Sequence, residues 1–278
     1  MAQELALGIM AHFHPSPLEA MQAVRDLDIP TVQIGYSPSL DNDAGIAAIR
    51  DACAETGIEI TTVFCGFAGE SYADIPTVQA TVGLVPPQTR AERLQVTKRI
   101  AAFAHRLGVV RVAAHIGFVP EEAADPLYAE IVQTVQGVCD HLANSGQTFA
   151  LETGQETALG LRRFIEEVNR ENLRVNFDPA NMILYGKDQP ILALDVLMPW
   201  IDGVHCKDGR WPTQPGQLGE ETPLGAGDVD LTRWLDRLLA LGYRGPLTIE
   251  REISGEEQRR DILAGRDLLR GLLAGRGF

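Results

Sequence analysis

Long apolar runs are missing from this 278-residue chain. None reaches the roughly 20 residues that a membrane-crossing helix needs, so no transmembrane helix is expected. The first residues, Met1-Ala-Gln-Glu-Leu-Ala-Leu, lack the basic start and sustained apolar stretch of a secretory leader, and the chain is read as cytoplasmic. Positive charge is scarce too. With 24 Lys and Arg against 38 Asp and Glu, the formal net charge is −14. That balance argues against broad attraction to nucleic acid or to anionic membranes, while leaving room for a local pocket that holds one phosphate group. Cysteine is sparse. Cys53, Cys65, Cys139 and Cys206 show neither CxxC nor disulfide-framework spacing, and are expected to be reduced, partly buried small hydrophobes that carry no metal.

What is present is a 45% hydrophobic composition, enough for a sizeable core, arranged in a repeating pattern. Strand-like runs alternate with amphipathic helices. Leu5-Ala-Leu-Gly-Ile-Met10 precedes a helix over about Ser16 to Leu27, and Thr31-Val-Gln-Ile-Gly35 precedes a helix that stops at Gly57. The strand Glu59 to Cys65 comes next. A helix from about Arg90 to Leu107, ended by Gly108, leads into Val109-Val-Arg-Val-Ala-Ala-His115. Four more units follow, with strands ending at Glu152, Asp178, His205 and Glu250 and a last helix from about Glu256 to Leu273. Eight βα units joined by right-handed crossovers predict a (β/α)8 TIM barrel, one domain over residues 1–278. The connections Gly66 to Thr89 and Gly209 to Asp230 exceed the roughly 2–6 residues of ordinary βα loops and are expected to wall the pocket.

Barrel chemistry sits at the C-terminal ends of the strands. The last four strands each end there on a hard ligand: Glu152, Asp178, His205 and Glu250. Three carboxylates and an imidazole converging on one mouth would repel or stay poorly satisfied without a cation. Their donors suit one divalent ion, Mn²⁺, Mg²⁺, Co²⁺ or Zn²⁺, in an octahedral site with positions left for substrate oxygens.

Several motifs occur together in order: Leu151-Glu-Thr-Gly-Gln-Glu156, Asn176-Phe-Asp-Pro-Ala-Asn181, Val204-His-Cys-Lys-Asp208, Pro223-Leu-Gly-Ala-Gly-Asp-Val-Asp230 and Thr248-Ile-Glu-Arg251. With them the chain resembles the xylose-isomerase-like barrel superfamily, in particular its sugar phosphate isomerase/epimerase branch. The ketose 3-epimerases of that branch imply one divalent metal, often manganese, on Glu152, Asp178, His205 and Glu250. They also imply that Glu152 and Glu250 move protons. The expected reaction is proton transfer next to the carbonyl of a ketose or related keto-sugar through an enediolate, giving epimerisation or aldose–ketose isomerisation. A metal-dependent dehydratase or lyase of a keto-sugar or inosose is the alternative. Further off stands an apurinic endonuclease, since Asp178-Pro-Ala-Asn181 and Asp228-Val-Asp230 lack the histidines those nucleases carry. A non-catalytic sugar-binding protein is the alternative from another class.

Other residues are second-tier. His115, ending the fourth strand, His12, just after the first, and Lys207, two residues beyond His205, are expected to contact a sugar or polyol substrate. Pro179 reads as a turn residue, and Asp230 as a helix N-cap after the flexible turn Gly225-Ala-Gly227. No nucleotide is assigned. The chain is a possible homo-oligomer.

Overall fold

Parallel strand pairing closes on itself in this protein, whose computed structural model describes residues 5–277. The barrel strands are β1 (Leu7–Ala11), β2 (Thr31–Gly35), β3 (Glu59–Phe64), β4 (Arg111–Ala114), β5 (Thr148–Glu152), β6 (Leu173–Phe177), β7 (Ile201–Cys206) and, after a two-stranded insertion, β10 (Leu247–Ile249). β10 pairs with β1 in parallel register, Gly8 opposite Thr248, which completes the expected (β/α)8 barrel. Consecutive pairing sets the fifth to eighth barrel strands, β5, β6, β7 and β10, side by side.

The helices form where the sequence supplies caps and an apolar stripe. Ser16 accepts from the backbone of Glu19 to start α1 (Pro17–Arg25), and Asn42 accepts from Gly45 to start α2 (Asp43–Thr56). Gly57 and Gly108 take the left-handed conformation that ends α2 and α4 (Pro87–Leu107). Around the far side run α5 (Pro126–Ala143), α6 (Ala158–Val168) and α8 (Pro190–Leu197), then α9 (Leu231–Ala240) and α10 (Glu256–Ala274). In α9 the buried face of Leu231, Trp234, Leu235, Leu238 and Leu239 packs inward, and the Trp234 ring stacks on Phe177 of β6 at 6.4 Å between centroids. Among the described residues no helix is long and apolar enough to cross a membrane.

Three features differ from the sequence expectations. The connection after β3 contains a short helix, α3 (Ile75–Thr81), begun by the Asp74 side chain accepting from Thr77. The connection after β7 contains an antiparallel pair, β8 (Asp208–Arg210) with β9 (Glu220–Thr222). And Asp178-Pro179 opens a helix, α7 (Pro179–Leu184), in which Asp178 Oδ1 accepts from the Asn181 amide at 3.0 Å. The turn reading of Pro179 therefore gives way to the first helical position, where proline's missing N–H costs nothing. Asp230 sits at the N-cap of α9 as expected, but its φ is 55° and its side chain makes no capping bond.

Candidate active site

Four side chains converge at the C-terminal mouth. Glu152 ends β5, Asp178 follows β6, His205 lies near the end of β7 and Glu250 follows β10. One ligand atom from each lies within 4.8 Å of the others. His205 Nδ1 is 2.9 Å from Glu152 Oε1, 3.2 Å from Glu250 Oε2 and 3.6 Å from Asp178 Oδ2.

The donor set is buried and electrically unfinished. His205 and Asp178 are fully buried, yet His205 Nδ1 and Asp178 Oδ2 have no hydrogen-bond partner. Burial pushes the Asp178 carboxyl above its ordinary pKa despite the opposing pull of Lys207 and His205. Such orphaned polar atoms are costly in a protein interior. A cation at the centre of the four would satisfy them, so the residues present fit a divalent ion.

The surrounding contacts hold this set in place. His205 Nε2 lies 3.0 Å from Gln33 Oε1, and the Gln33 amide nitrogen donates to Asn176 Oδ1 (3.3 Å) and Thr248 Oγ1 (3.2 Å). Those two partners assign the amide orientation, so the imidazole donates from Nε2 and turns Nδ1 toward the carboxylates. Asn181 Nδ2 donates to Glu152 Oε1 at 3.3 Å, and its Oδ1 accepts from Lys207 Nζ at 3.3 Å.

His115 Nε2 is 3.1 Å from Glu152 Oε2, and the Tyr72 ring packs on His115 with centroids 5.8 Å apart. Lys207 is buried, with Nζ 3.1 Å from Glu250 Oε2 and 2.7 Å from Glu252 Oε1. Burial alone would lower the lysine pKa, but Glu250, Glu252 and Asp178 outweigh it and hold the ammonium charged. In return His205 and Lys207 overcome the effect of burial on Glu250 and keep its carboxyl well below the usual range.

Above the cluster is a cavity of about 520 Å³ bordered by His12, His115, Glu152 and Glu250, with Tyr72, Tyr185 and Leu218 among its apolar walls. His12, His115, Glu152, Asp178, His205, Lys207 and Glu250 thus lie in or against one region, Lys207 beneath the cavity surface. Sequence reading missed Gln33, Asn181, Tyr72 and Glu252. Asn181 carried a local signal, the Asp-Pro-x-Asn spacing of a helix start, and Glu252 stands two residues beyond Glu250; Gln33 and Tyr72 are brought in by non-local packing.

A family model for xylose isomerase-like TIM barrels matches residues 21–272. The chain belongs to that family. A solved xylose isomerase domain protein from Planctomyces limnophilus is 44% identical, with a TM-score of 0.92 over 97% of this chain and 98% of that one. L-ribulose 3-epimerase has the same fold at 19% identity, with a TM-score of 0.73 over 98% and 96% of the two chains. The 2-epi-5-epi-valiolone 7-phosphate 2-epimerase of Actinoplanes sp. is 36% identical over 77 residues, 28% of this chain and 27% of that protein. The chain's matches to two curated relatives, this epimerase and an Escherichia coli protein 33% identical over 118 residues, span 27% and 36% of their lengths.

Proposed function

We propose that this protein is a divalent-metal-dependent sugar epimerase or isomerase that moves a proton on the carbon next to a substrate carbonyl. The observation that carries the reading is the convergence of Glu152, Asp178, His205 and Glu250 around unpartnered ligand atoms at the floor of an open cavity. Manganese is the ion we favour, with magnesium, cobalt and zinc compatible with the same donors. When bound, the ion supplies polarisation of the carbonyl and stabilisation of negative charge developing on its oxygen.

The protein's own groups do the proton work. Glu152 and Glu250 reach the cavity from strands on either side of β6 and β7. One carboxylate takes the proton from the carbon next to the carbonyl; the other gives a proton back. Return to the opposite face of the same carbon inverts it, and return to the neighbouring carbon, with the hydroxyl proton passing to the former carbonyl oxygen, exchanges ketose and aldose. His115 on Glu152 and Lys207 on Glu250 orient the two carboxylates, and the Lys207 charge favours the ionised form of Glu250. His115 and His12, both on the cavity wall, supply hydrogen bonds to substrate hydroxyls.

The test is exchange in D₂O. Protein loaded with Mn²⁺ is offered ketoses, inososes and oxidised sugars, and products are followed by NMR. Deuterium at the carbon next to the carbonyl supports the reading, and net loss of water would redirect it to a dehydratase. A protein that binds metal but labels no substrate in the panel counts against it.

A further inference from the structure

Negative charge is unbalanced at the mouth of this barrel. Five glutamates, Glu70, Glu152, Glu221, Glu250 and Glu252, line the cavity with Asp178 beneath them, and no lysine or arginine lines it among the described residues. Two cations that touch the lining glutamates are already engaged. The ammonium of Lys207 is directed to Glu250 Oε2 (3.1 Å), Glu252 Oε1 (2.7 Å) and Asn181 Oδ1 (3.3 Å), which uses its three protons. Arg251 is pinned by Glu221 Oε2 at 3.1 Å and by Asp261 Oδ2 at 2.8 Å. Even with a divalent ion counted, the carboxylates outnumber the positive charges.

The quarter of the mouth where (β/α)8 barrels commonly hold a phosphate lies after the seventh and eighth strands, at a helix N-terminus. Here that quarter is acidic. The connection after β7 brings Glu221, the one after β10 brings Glu252, and the first turn of α10 carries Glu256 and Glu257. A phosphate entering there would meet the Glu221 and Glu252 carboxylates at the cavity wall and a helix start that carries two more acidic residues.

We propose, resting on the enzymatic reading above, that the site accepts uncharged keto-sugars and rejects phosphate esters and sugar acids. A phosphate dianion would enter a partly desolvated cavity against like charge, with no free donor cation to offset it. An uncharged sugar meets no such penalty, and its hydroxyls find acceptors in the same carboxylates.

The experiment compares matched pairs, fructose with its phosphate monoesters and ribulose with its phosphate monoester, on the full chain loaded with Mn²⁺. Deuterium exchange reports turnover. Paramagnetic broadening, ¹H for the free sugars and ³¹P for the esters and for inorganic phosphate, reports approach to the metal without requiring turnover. We expect saturable ¹H broadening with free ketoses, no saturable ³¹P broadening, and exchange at least about tenfold slower for each ester than for its free partner. In Glu252→Gln, which removes one negative charge beside Lys207 and at the cavity wall, the ester should gain relative to the free sugar. Saturable ³¹P broadening with exchange equal to or faster than that of the free sugar would overturn the charge selectivity and leave the enzymatic reading standing. Metal-loaded protein that neither broadens nor exchanges any ketose would overturn the enzymatic reading, and this inference with it.

Discussion

Gln33 Oε1 accepts from His205 Nε2 at 3.0 Å, so a glutamine on β2 determines which nitrogen of a histidine on β7 faces the carboxylate cluster. Replacing Gln33 by leucine keeps the approximate volume and removes the acceptor. The expected result is a loss of divalent-metal affinity of about 10–100-fold, measured by titration calorimetry, with a barrel that still folds. Unchanged affinity would show that packing alone orients the imidazole.

Glu152 and Glu250 are expected to separate metal binding from proton transfer. Glu152→Gln and Glu250→Gln retain an oxygen ligand but cannot take up a proton. Each variant should keep one equivalent of metal by elemental analysis while exchange on a productive ketose falls by about 10²-fold or more. Wild-type rates in both metal-loaded variants would dismiss the two-carboxylate mechanism.

Metal should also stabilise the fold. An ion that binds only the folded state at about a hundred times its Kd contributes about 2.7 kcal/mol. Calorimetry should therefore show a higher Tm with Mn²⁺ than with chelator. In Asp178→Ala, which lacks one ligand, that difference should shrink markedly.

Glu156 introduces a pH dependence away from the ligand cluster. Burial raises its carboxyl from 4.5 to about 7, against the opposing hydrogen bond from Val119 N and the charge of Lys187. The folded pKa lies above the unfolded one, so this group's contribution to stability is complete below about pH 4.5 and is lost as the pH rises through about 7. The full loss amounts to about 3 kcal/mol. Glu156→Gln can still accept from Val119 but does not ionise. Its stability relative to wild type should increase between pH 5 and pH 8 in parallel denaturation curves, and a constant difference would refute the assignment.

Asp208 anchors the long connection after β7. Its Oδ1 accepts from Gly209 N (2.9 Å) and Val229 N (3.2 Å), and its Oδ2 accepts from Gly225 N (2.9 Å). Gly227 approaches so closely that a Cβ there would lie 2.2 Å from Asp208 Oδ1. Asp208→Ala leaves these amides without their acceptor and should cost about 1–3 kcal/mol. It should also speed proteolytic cleavage of the 211–219 segment; wild-type cleavage kinetics would mean that the hairpin holds the connection unaided.

By itself, the sequence determined the barrel and the four polar groups that meet at its mouth. Apolar periodicity, helix caps and chain order are local properties, and Glu152, Asp178, His205 and Glu250 each stand at a strand end that such patterning marks. Even the left-handed caps at Gly57 and Gly108 were legible, because glycine adopts that conformation without a Cβ clash. The elements missed were short. α3, α7 and the β8–β9 pair have too few residues for a period to emerge, and their shape depends on what they pack against. Only the closed tertiary structure brought Gln33 to His205 across 172 positions of chain and placed Asn181 between Glu152 and Lys207. It also decided the state of Lys207. From sequence Lys207 reads either as a cation for substrate or as one half of a salt bridge, and the structure sets its ammonium against Glu250 and Glu252 beside a cavity lined by glutamates. Pairing between distant side chains follows from barrel closure, a non-local condition that no local pattern encodes.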